Sequence, residues 1–150
     1  MKSWIVAAGL IVALTATTAA AETAGQLAAQ VQAQLKGKRY TAFRPVLISQ
    51  GFYPIKLPQR RDVWPCGDGS CVRNPELIDC GGGSMPRCWL VWAGPDHSGY
   101  FLLEVEGETK WSFGRMRPMS RAEYQKMERG IREAISDPDC KGCAPSWGSY

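Results

Sequence analysis

The sequence is short of histidine, of net charge and of long-range repetition, and each shortage removes a class of protein. Its 150 residues include one histidine, and 18 Lys+Arg stand against 14 Asp+Glu, a formal charge of +4. So mild a balance leaves no electrostatic footprint for DNA or RNA, and no nucleic-acid partner is expected. There is no internal repeat and no coiled-coil heptad. Zinc sites need converging Cys or His pairs, and C-x-x-C occurs once, at Cys140 and Cys143, without a companion knuckle, so no metal is expected. Gly81-Gly82-Gly83 has no helix start and no following Lys-Ser/Thr to make a phosphate loop, and no cofactor is expected. Hydrophobic residues at 45% and charged residues at 21% are ordinary globular values, which argues against disorder and against a multi-span membrane protein.

What is present begins with an address. Lys2 supplies a positive start, residues 5–14 an apolar run, and Ala19-Ala20-Ala21 a small-residue cleavage site, which together match a secretory signal peptide cut after Ala21. The rival reading is an uncleaved anchor, because residues 3–21 carry no charge; their second half is Thr/Ala and only weakly apolar. The expected organisation is a signal peptide, 1–21, and one small domain, 22–150, with 136–150 a tail. After cleavage no stable membrane span remains, and the protein is expected in the periplasm or the medium.

Within 24–35, Leu27, Val31 and Leu35 recur every four positions among Gln residues, which predicts a short, peripherally packed helix ending near Gly37. Residues 40–50 read as a second helix with Thr41 as N-cap, Pro45 in the first turn and Gly51 at the C′ position. Residues 52–57 read as an edge strand carrying Pro54. Residues 58–86, rich in Cys and Gly, read as one long ordered loop. Three strands follow, over 87–93, 100–106 and 109–116, joined as an antiparallel meander. Ser120-Arg121-Ala122-Glu123 is a capping box, and Tyr124, Met127, Ile131, Ala134 and Ile135 form an apolar stripe that Asp137-Pro138 ends. The fold class is therefore α+β: N-terminal helices, a meander of about four strands, a C-terminal helix on the sheet and a long disulfide-tied loop.

All six cysteines, Cys66, Cys71, Cys80, Cys88, Cys140 and Cys143, lie in the part read as exported, where disulfides are the default. Fifteen connectivities are open; proximity favours Cys66 with Cys71, Cys80 with Cys88, and Cys140 with Cys143. A redox C-x-x-C belongs at a helix N-terminus, whereas Cys140-Cys143 follows a helix end. Asp96, His97 and Ser98 are the residue types of a hydrolase triad, yet neighbours on one turn do not align as nucleophile, base and orienter. Glu104 and Glu106 share a strand face and resemble an acid/base pair, though on a wet face such carboxylates merely solvate the sheet. No catalytic residue is assigned. Trp64, Trp89, Trp92 and Trp111 are the candidate binding residues, because indoles on both faces of a meander exceed what one helix covers.

Residues 40–52 (YTAFRPVLISQGF), Pro75-Glu76-Leu77 before Cys80-Gly-Gly-Gly, and Cys88-Trp-Leu-Val-Trp resemble a scattered set of small exported bacterial proteins. Those proteins carry a helix ending in a Gln-Gly-Trp-like step, then a Cys-Ser-Gly-Thr-Gly-like turn. The layout also looks like the half-repeats of β-lactamase-inhibitor-like and PepSY-like domains. That resemblance implies a Cys80–Cys88 disulfide and a binding or inhibitory role for an unknown protein or envelope component. It offers no catalytic residues, and it departs at Gly81-Gly82-Gly83-Ser84 and in the four further cysteines. The expectation is an exported, non-enzymatic binding module. A small envelope enzyme with a thiol or carboxylate site, or an immunity protein against an envelope-acting toxin, are the alternatives.

Overall fold

The computed structural model describes residues 13–58, 73–81, 86–107 and 110–137. Helix α1 spans Ala13–Leu35 and α2 spans Tyr40–Ser49. The strands are β1, Tyr53–Pro54; β2, Leu77–Gly81; β3, Arg87–Ala93; β4, Tyr100–Glu106; and β5, Ser112–Met119. Helix α3, Arg121–Ser136, follows β5 directly. The five strands form one antiparallel sheet in the order β1-β3-β4-β5, with β2 also on β3.

The sheet is a middle layer. Cys88, Leu90, Trp92, Phe101, Leu103, Val105, Phe113 and Met116 meet Ala28, Val31 and Leu35 of α1 and Phe43 and Leu47 of α2 in one core. Val91, Leu102 and Met119 meet Met127 and Ile131 of α3, with Leu57 and Ile78, in a second. The alternation of β3 predicts this division, since successive strand residues point to opposite faces. The α3 stripe and capping box form as expected: Ser120 Oγ accepts from the Glu123 amide and the Glu123 carboxylate from the Ser120 amide.

Several expectations are corrected. Helix α1 is longer than the stretch 24–35 read from the periodicity, running over Ala13–Leu35 among the described residues. It is not peripheral: Val31 and Leu35 are buried, and Gln32 Oε1 accepts from the Met116 amide at 3.1 Å on the outer edge of β5. Helix α2 starts two residues earlier than a Thr41 cap would allow, because the Tyr40 amide donates to the Trp111 carbonyl at 2.7 Å and Arg39 takes the cap position. Pro45 therefore sits inside the helix rather than in its first turn. Gly51 does take the left-handed conformation, at φ 84°, and Phe52 N–H and Gly51 N–H close on Leu47 and Ile48 carbonyls as a Schellman end. The edge strand shortens to two residues, and the stretch read as a loop contains β2, which Cys80–Cys88 ties to β3.

The last strand runs from Ser112 to Met119, later than expected, and carries a bulge. Val105 faces Phe113 while Glu104 faces Arg115, so Gly114 is the extra residue. A Cβ on Gly114 would lie 3.1 Å from the Glu104 carbonyl oxygen. The bulge changes the phase of the strand. Phe113 and Met116 both reach the α1 core, and Arg115 is delivered to the α3 face beside Glu104.

Candidate functional site

Two polar constellations stand out among the described residues. The first occupies a corner of the α3 face of the sheet. Register sets Gly81, Arg87, Glu106 and Ser112 in one row across β2, β3, β4 and β5, and Asp79, Trp89, Glu104 and Arg115 in the next. Opposed residues of antiparallel strands share a face, so these side chains are neighbours. Trp89 is half-buried, and a Cβ on Gly81 would come within 3.3 Å of its ring, so glycine is what lets the indole lie over β2. Cys80 and Cys88 face each other directly, Cα to Cα 4.0 Å, and pin the two strands beneath this corner.

Glu104 is the centre of the corner. It is only 5% exposed, contrary to the wet position expected for it, and each carboxylate oxygen meets a guanidinium. Arg115 Nε lies 3.0 Å from one oxygen and a terminal nitrogen of Arg87 3.7 Å from the other, while Arg87 Nε is 3.4 Å from Glu106. The arginine side chains are themselves 53% and 55% exposed. A guanidinium has five N–H donors in a planar fork, so two arginines are oriented from below while most of their donors stay free for a partner. With both oxygens held in ion pairs, Glu104 is built as an anchor for cations rather than as an acid or base.

The second constellation is internal. Glu76, just before β2, has no exposed surface, and Oε1 accepts from both the Tyr40 hydroxyl and Arg44 Nε, the latter at 2.9 Å. The Arg44 guanidinium also lies 5.9 Å above the Trp92 ring, a cation–π distance. Burial, and then the Glu76 charge, push the Tyr40 hydroxyl pKa far above its ordinary value, so Tyr40 is a permanent donor here. The hydrogen bond to Glu76 raises the Arg44 pKa in turn. Glu76 Oε2 and Trp92 Nε1 are buried without a hydrogen-bond partner among the described residues. This cluster fastens α2 to the β2–β3 edge of the sheet.

The candidate tryptophans are not brought together. Trp89 stands at the charged corner; Trp92 is wholly buried in the α1–α2 core and offers no contact surface; Trp111 is half-buried against that core, its ring 5.7 Å from Tyr40. Trp64, Cys66, Cys71, Cys140 and Cys143 lie outside the described residues, as do Gly82 and Gly83. Asp96 sits in a 3₁₀ turn at φ 51°, and Ser98 N–H closes that turn on the Pro95 carbonyl. Sequence reasoning missed Arg87, Arg115 and Glu76. Arg87 faces Glu106 through the regular β3–β4 register, Arg115 reaches Glu104 only through the bulge, and the burial of Glu76 depends on residues more than thirty positions away.

Among the described residues no group of three or more His, Cys, Asp or Glu is placed to hold a metal ion, and no helix is long and apolar enough to cross a membrane. No family model, curated protein or solved structure matches the chain.

Proposed function

We propose that the chain is an exported, non-enzymatic binding module, inhibitor-like in mode, that docks a protein or other component of the cell envelope on the charged corner of its sheet. One observation carries this reading: two half-exposed arginines are held in place by the nearly buried Glu104 beside the Trp89 ring. Arginine and tryptophan dominate binding energy at protein interfaces, and side chains fixed before contact lose little entropy on docking. The Cys80–Cys88 bridge beneath the corner stiffens it in the same sense. Export rests on the signal-like first 21 residues and on the cysteine content.

The test is site-specific photo-crosslinking in intact cells followed by fractionation. A photoreactive residue at Ser112, at the corner, is compared with one at Lys126, exposed on α3. The expected result is a discrete envelope adduct from Ser112 only, lost in the R87Q/R115Q variant, on a protein whose N-terminus is Glu22. Equal adducts from both positions, no adduct, or a cytoplasmic unprocessed chain would refute the proposal.

A further inference from the structure

At the other end of the same sheet face two small residues, Ala93 and Gly99, stand among large ones. Register sets Tyr53, Ala93, Tyr100 and Met119 in one row across β1, β3, β4 and β5. Ala93 contributes only a methyl group, and Gly99 contributes none, with open space where its Cβ would stand. The result is a concavity of about 370 Å³ lined by Ala93, Gly99, Tyr100, Met119 and Arg121. That volume falls within the range of small-molecule sites.

Its walls are fixed. Tyr100 stacks flat on Tyr124 of α3, ring centroids 4.0 Å apart and planes 1° from parallel. The turn that delivers Gly99 is closed by Gly94 N–H on the Gly99 carbonyl at 2.8 Å. Gly94 admits no side chain, since a Cβ there would stand 2.5 Å from Ser98 Oγ and 2.6 Å from Phe101. At the rim, Arg121 is the only charged residue of the five. It is exposed at the first position of α3 and has neither an ion pair nor a side-chain hydrogen bond among the described residues. Nearby charges are already spent: Arg117 pairs with Glu123 at 3.2 Å, and Glu123 also completes the capping box.

We propose that this concavity binds a six-membered ring bearing a carboxylate. The ring lies on the Ala93–Gly99 floor against Tyr100 and Met119, and the carboxylate pairs with Arg121 at the positive end of α3. Two small residues beside a held aromatic ring leave room for a flat ring, and a guanidinium with no ion pair among the described residues, carried on the first residue of α3, attracts an anion. The site lies in a different row from Arg87, Trp89 and Arg115, so either site stands if the other fails. Acidic sugars of envelope glycans and aromatic acids share this chemistry.

The test is an amide NMR titration of the disulfide-intact protein with sodium glucuronate, sodium benzoate and neutral methyl glucoside, each to millimolar concentration. One or both acids are expected to shift the Ala93, Gly99, Tyr100 and Arg121 amides, glucuronate alone identifying a glycan source and benzoate alone an aromatic acid. R121Q, which loses no ion pair or hydrogen bond among the described residues and should keep the wild-type Tm, is expected to weaken binding at least about tenfold. A93V, which raises the floor, is expected to weaken it as well. The proposal is overturned if neither acid shifts this row, if methyl glucoside binds as tightly as glucuronate, or if R121Q binds like the wild type.

Discussion

Replacing Glu76 by leucine tests whether the internal polar cluster fastens α2 to the sheet. Glu76 has no exposed surface, so leucine fills its place without opening the core to water. What is lost is the acceptor for two donors. The Tyr40 hydroxyl is left buried and unsatisfied, which costs about 1–3 kcal/mol, and Arg44 loses a charge-assisted hydrogen bond worth about 1.5–3 kcal/mol. The Arg44 side chain is 31% exposed and can turn its head to water, so the lower half of its range applies. The expected total is about 3–4 kcal/mol, a third or more of the stability of an ordinary domain. Urea unfolding followed by tryptophan fluorescence measures it, with the disulfides intact and the m value required to stay constant. Because the penalty includes an orphaned hydroxyl, Y40F in the E76L background should recover about 1 kcal/mol, although Y40F alone destabilises. A loss below about 1 kcal/mol for E76L, or no recovery on adding Y40F, would refute this account of the cluster.

Three other outcomes follow from the same contacts. C80A/C88A should lose roughly 2.5 kcal/mol, the chain-entropy value for a nine-residue loop, measured by urea unfolding against the wild type. Above pH 10 stability should fall by about 1.4 kcal/mol per pH unit through Tyr40 alone, because the unfolded chain releases a proton that the folded chain retains; Y40F should remove that part of the alkaline slope in pH-dependent melting. The Glu123 pKa is lowered, chiefly by the hydrogen bond from the Ser120 backbone, so its contribution is present at neutral pH and lost as pH falls through its folded value. E123Q should therefore destabilise at pH 7 and approach wild-type stability in acid, read from Tm against pH.

The legible parts of this fold are those encoded over short range. Ser120 and Glu123 announce α3, the stripe from Tyr124 to Ile135 names its buried face, and Gly51 ends α2. Cys88, Leu90 and Trp92 alternate with Trp89 and Val91, and the two sets do enter different cores. What is not legible is set by partners distant in sequence. The narrow, Ala-rich face of α1 predicts peripheral packing, yet its few apolar side chains meet a sheet face that α2 leaves incomplete. Strand β2 lacks periodicity because a bulge between Leu77 and Asp79 breaks it. The burial of Trp92 is not legible in composition, which counts indoles without saying which side of a sheet is already covered. The charged corner is half visible in Glu104 and Glu106, but Arg115 comes into line with them only through the Gly114 bulge.

That bulge sets the phase of β5. On one side of Gly114 the strand is read in one phase and on the other side in the opposite phase, so a single strand serves the hydrophobic layer and the charged corner without sacrificing either. Exchanging a residue here alters one contact, whereas pairing Gly114 as an ordinary strand residue would turn every later side chain of the strand to the wrong face. Met116 would turn from the core toward the charged corner and Arg115 toward the apolar layer. A chain without Gly114 would pair regularly and keep every one of these faces, so the bulge is what accommodates one more residue between Trp111 and Ser120 without turning a side chain.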